Sequence, residues 1–127
     1  MRTFEFPYRI YEGLLLPLIP ISLPEETNVY ALVDSGAGIS LFDATIGEKI
    51  GIDITKGKET FLTGIGGRIL AYEHIMPIEV VDIKFNCKIA FSYELKVSVN
   101  LLGQDDFFDK FIVIFNCRSR TIQLTIK

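Results

Sequence analysis

At 127 residues, 49% hydrophobic and 23% charged, the chain is expected to form one domain over residues 1–127, with a buried core rather than disorder. A formal net charge of −3 gives no electrostatic reason to expect nucleic acid as a partner. The most apolar early stretch, Gly13 to Pro24, is broken by Pro17, Pro20 and Pro24 and is too short to span a bilayer; the N-terminus carries no basic-then-apolar leader, so no membrane association and, by default, a cytoplasmic location are expected.

Tyr30-Ala31-Leu32-Val33 is an apolar run that ends on Asp34-Ser35-Gly36-Ala37. A carboxylate placed straight after such a strand is costly to bury unless neighbours hydrogen-bond it. Ser35 supplies a hydroxyl, and Gly36 an amide and the freedom to turn sharply. By itself the tripeptide fits a turn aspartate capping its own loop, since an Asp-Ser/Thr-Gly triplet arises by chance in about one chain of this length in twenty. Farther on, Asp43 precedes a short helix over Ala44 to Ile50 that stops near Gly51. Gly64-Ile65-Gly66-Gly67, with Leu62 before it and Ile69 to Tyr72 after it, is predicted as a hairpin tip.

His74 lies in an alternating strand and is expected to be structural. Cys87 shares its alternate side with Phe85, Ile89 and Phe91, as a small buried hydrophobe would. With one histidine and with Cys87 and Cys117 far apart, the chain has no metal motif; no metal and no cofactor are expected, and a cytoplasmic setting argues against a bridge between the two cysteines. Strands are predicted over Ile89 to Leu95, Phe111 to Phe115 and Thr121 to Lys127, with a turn at Asn116 to Arg120. A second short helix is expected from Asp105 or Asp106 across Phe107 to Phe111, with its acidic residues in the first turn. The architecture expected is mainly β: a small closed antiparallel barrel with one or two short helices.

The order of Asp34-Ser35-Gly36-Ala37, the glycine-rich tip and Asn100-Leu101-Leu102-Gly103-Gln104-Asp105 resembles the retropepsin-like aspartic peptidases, the single-lobe family typified by retroviral proteases. The resemblance implies that Asp34 is the catalytic carboxylate and that Ser35 locks two active-site loops together across a dimer. It implies that Gly36 turns an amide toward the carboxylate, that Gly64 to Gly67 form a flap over substrate, and that Leu101, Leu102 and Gly103 pack beneath the catalytic loop. Two positions depart from the retroviral pattern. Gly38 and Gln104 stand where an aspartate and an arginine commonly pair, and losing both together leaves no orphaned charge. Peptide hydrolysis in this family uses two carboxyls that share a proton. One Asp-Ser-Gly in a single lobe therefore implies a homodimer acting on a peptide or protein substrate. The competing function is a non-catalytic or narrowly specific dimer that binds extended peptides by strand addition.

Overall fold

A computed structural model describes residues 2–64, 67–95 and 99–127. In chain order the elements are β1 (Thr3–Pro7), β2 (Arg9–Tyr11), β3 (Leu14–Leu16), β4 (Leu18–Leu23), β5 (Thr27–Val33), β6 (Ser40–Asp43) and α1 (Ala44–Lys49). There follow β7 (Lys58–Gly64), β8 (Gly67–Val80), β9 (Ile83–Ser92), β10 (Asn100–Leu102), β11 (Phe111–Asn116) and β12 (Thr121–Ile126).

The main sheet runs β4-β5-β10-β6-β9-β8-β7, and β8 bends back to touch β4 through Ser22 and Glu79, so the sheet curls onto its own first strand. Most neighbours are antiparallel, as expected, but β10 runs parallel to β5 and β6 runs parallel to β9. β10, a strand of three residues, inserts between β5 and β6, parallel to the first and antiparallel to the second. A separate sheet, β1-β12-β11, is built from both ends of the chain.

Alternation decides what each strand buries. In β12, Ile122 and Leu124 are fully buried, while in β9 Ile89 and Phe91 enter the main core beside Phe42, Leu102 and Phe107. The intervening residues of the central strands are also covered. Leu41 and Ala90, joined by Ala71, form a second, smaller apolar cluster, against which Ile39, Leu62, Ile69, Leu95 and Leu101 pack. Leu101, Leu41 and Ala90 stand in one cross-strand row, so this cluster is one face of the sheet and the main core the other. Proline falls where the ladder has a gap: at Pro77, β8 is paired only with β9.

The first helix lies where expected. Asp43 has extended backbone and its Oδ1 accepts from the Thr45 amide at 2.8 Å, which satisfies one of the orphan amides of the first turn. The second helical segment is an irregular turn over Gln104–Phe108, interrupted by extended Asp105 and by Asp106 at φ +68°. Asp106 is not a helix-start cap: its carboxylate accepts from the Lys88 amide at 2.7 Å, tying the turn to β9, and Phe111 already belongs to β11. Likewise β9 starts earlier than predicted and stops at Ser92, leaving Tyr93 to Leu95 outside the strand. His74 Nε2 lies 2.8 Å from the Ile54 carbonyl oxygen, a structural tie.

Both cysteines are free. Cys87 is fully buried, and burial pushes its thiol up to about 12, whereas Cys117 is exposed. Iodoacetamide at pH 8 is therefore expected to alkylate Cys117 in the native protein and to reach Cys87 only after denaturation; mass mapping that finds Cys87 modified at a comparable rate in the native state would contradict this burial.

Candidate active site

β5 delivers Asp34 to the end of the central sheet, and the chain then turns within Asp34-Ser35-Gly36-Ala37. The turn is held by its own hydrogen bonds: the Gly36 amide donates to Asp34 Oδ1 at 2.9 Å, and the Ala37 amide donates to the Asp34 carbonyl at 3.2 Å. A carboxylate that accepts from a backbone amide keeps a fixed direction without a cationic partner. Asp34 is half-buried, Ser35 and Gly36 are exposed, and Ala37 is half-buried.

The Leu101-Leu102-Gly103 segment lies against this turn. The Asp34 amide donates to the Leu102 carbonyl at 3.0 Å, the Gln104 amide to Ala37 O at 2.8 Å, and the Asp105 amide to Gly38 O at 2.9 Å. Gly103 is required by close approach: a Cβ there would stand 2.6 Å from the Ile39 carbonyl carbon and oxygen and 2.8 Å from Ala37 O. Its amide donates to the buried Ser40 hydroxyl at 3.0 Å. Buried Asn100 completes the support, accepting from the Asp43 amide at 3.1 Å and donating to Tyr30 O at 3.4 Å.

Gln104 shows what replaces the missing ion pair: its Nε2 donates to Ser35 O at 2.7 Å, so an amide side chain ties the turn where a charged pair is absent. Gly38, the other departure from the retroviral pattern, is exposed, and a Cβ there would meet nothing within 4 Å.

Asp34, Gly36 and Ala37 share a cleft of about 540 Å³ with Gly64 and Gly67 of the β7–β8 hairpin and with Leu101. Leu102 and Gly103 stay behind the wall, fully buried and buried respectively. Ile65 and Gly66, the predicted centre of the tip, lie outside the described residues. The hairpin is registered up to Gly64 opposite Gly67, and Gly67 takes φ +103°, a conformation a side chain would strain.

None of the remaining wall residues was predicted to line the site: Gly38, noted only as a departure from the retroviral pattern, Ile39, Leu41, Leu62, Thr63, Ile69 and Leu95. A usable signal existed for two of them. Leu62 and Ile69 flank the glycines symmetrically and are register partners, hence on one face of the hairpin. Asp34 is the only titratable group among the described residues that line the cleft. The site thus pairs one oriented carboxylate with an apolar, strand-flanked channel. Among the described residues no group of three His, Cys, Asp or Glu side chains gathers as a metal site, and no helix is long and apolar enough to cross a membrane.

By sequence, no family model and no curated protein matches the chain. By structure, the chain is similar to a retropepsin-like aspartic protease from Rickettsia conorii, with a TM-score of 0.74 and 19% identity over 98% of this chain and 99% of that one. It is also similar to EIAV protease in complex with the inhibitor HBY-793, with a TM-score of 0.61 and 18% identity over 80% of this chain and 93% of that one.

Proposed function

We propose that this chain, whose fold is retropepsin-like, is an aspartic endopeptidase that works as a homodimer. The observation that carries the reading is the single carboxylate of Asp34, fixed by the Gly36 amide at the wall of an apolar cleft. Amide hydrolysis by a water needs a base to take its proton and an acid to protonate the carbonyl oxygen. Two carboxyls about 3 Å apart serve both ends because they hold one proton between them. One cleft supplies one carboxylate, so the second comes from Asp34 of another copy.

The other roles follow from position. In this reading Ser35, which is exposed, bonds across the junction of two copies, and the β7–β8 hairpin, which lines the cleft, closes over an extended peptide by strand pairing. Gln104 argues for this reading over a binding module that has shed its catalytic parts. Its bond to Ser35 keeps the turn braced although the charged pair is gone.

The test is the hydrolysis of fluorescein-labelled casein near pH 5 as a function of chain concentration. Specific activity is expected to fall on dilution as dimers separate, and to be highest at acidic to mildly acidic pH, where the dyad keeps one shared proton. Activity independent of concentration would reject the shared site, and absence of hydrolysis at every concentration would put the peptide-binding dimer in its place.

A further inference from the structure

β8 is paired with β9 from Val80 only as far as Tyr72, and beyond that point its Gly67–Ala71 end is held by β7 alone. The next rung on the β9 side falls at Leu70, where β9 has already ended at Ser92. Side chains take over there. The Ser92 hydroxyl donates to Leu70 O at 2.7 Å, and the Leu70 amide donates to Glu94 Oε1 at 3.2 Å. The Glu94 amide in turn donates to Ser92 Oγ at 3.0 Å, so the three bonds close a ring around one backbone residue of the hairpin. Ser92 is fully buried, and its hydroxyl both donates and accepts within the ring.

We infer that Ser92 and Glu94 form a clamp that fixes the hinge of the hairpin at Leu70 and thereby sets the width of the cleft, making them positioning residues for substrate. The residues next to the clamp explain why it reaches the cleft. Ile69 precedes Leu70 and Leu95 follows Glu94, and both are cleft walls. One ring of hydrogen bonds thus holds two apolar walls, from different parts of the chain, at a set separation. The clamp is itself anchored. Tyr93, between its two members, donates to Glu48 Oε2 at 2.6 Å, so the loop is tied to α1. That hydrogen bond pushes the Tyr93 phenol up to about 12. The placement of these groups stands on the geometry alone; their service to substrate rests on the peptidase reading above.

The experiment separates the two. Amide hydrogen exchange is followed by NMR in the wild type, Glu94→Ala and Glu94→Gln, and the same proteins are assayed on labelled casein. Glu94→Ala is expected to speed exchange at Leu70 about tenfold, the worth of roughly one lost hydrogen bond, with the amides of β9 and β12 unchanged. Glu94→Gln keeps an acceptor oxygen and is expected to restore protection. In the assay, Glu94→Ala should raise KM about tenfold with kcat changed less than about threefold, since the walls move and the carboxylate does not. Unchanged exchange at Leu70 in Glu94→Ala would overturn the clamp. So would exchange accelerated equally across β9 and β12, which marks a general loss of stability. If the wild type does not hydrolyse casein, the peptidase reading fails, while exchange at Leu70 still decides the clamp.

Discussion

Asp34→Asn is expected to lower peptidase activity by about a thousandfold or more while leaving the fold nearly unchanged. The two halves of this expectation have separate origins. Stability is spared because the bond that shapes the turn runs from the Gly36 amide to Asp34 Oδ1, and the carboxamide oxygen of Asn can accept it in the same place. The main-chain bonds, Asp34 N to Leu102 O and Ala37 N to Asp34 O, do not involve the side chain. Activity is lost because an amide neither takes a proton from water nor shares one with a facing carboxyl. Excess Asp34→Asn chains mixed with wild type should suppress activity further than dilution does, by forming dimers with a single carboxylate. Thermal unfolding, circular dichroism and the casein assay on the variant and its mixtures check each part. A fully active variant would remove Asp34 from the chemistry.

Gly103→Ala should do the reverse, harming the fold first and activity through it. The added methyl would stand 2.6 Å from the backbone of Ile39 and 2.8 Å from Ala37 O. Backbone cannot rotate away as a side chain can, so either the turn or β10 must move. Overpacking of this kind costs about 3 kcal/mol, which for a chain of this size lowers the melting temperature by about 10 °C. The movement would also break the register that holds Gln104 N on Ala37 O and Asp105 N on Gly38 O. A displacement of the carboxylate by roughly 1 Å is enough to cost about a hundredfold in rate. Differential scanning calorimetry and kcat of the folded fraction test the two effects. A stable, fully active Gly103→Ala would mean that this contact does not set the position of Asp34.

Local features were the legible part of this chain. The alternation of Ile122, Leu124 and Ile126 marked β12, and Asp43 marked the start of α1, because each depends on neighbours within a few residues. The clearest failures are non-local. Asn100–Leu102 is too short to announce a strand between β5 and β6, although the resemblance did imply that Leu101 and Leu102 pack beneath the turn of Asp34. Leu41 and Ala90 look like ordinary core residues, and their place under the cleft follows only from a sheet covered on both faces. Gln104 was visible as a departure from a pattern, but its bond to Ser35 required three-dimensional proximity. Asp106 was misassigned because a left-handed backbone, unforeseeable from Asp alone, turned its carboxylate onto Lys88.

The parallel pairing of β5 with β10, which registers Ala31 against Asn100, also has a kinetic meaning. Such a pair forms only after a long stretch of chain has been brought back on itself, and the entropy of that closure is lost before any contact repays it. The β7–β8 and β11–β12 hairpins close locally and are free to form early; the joining of Val33 to Leu102 is not. The carboxylate turn is therefore expected to reach its final geometry late in folding. During synthesis, a nascent chain lacking Leu102 has no carbonyl to receive the Asp34 amide, so the brace beneath the Asp34 turn is completed only once β10 has been made.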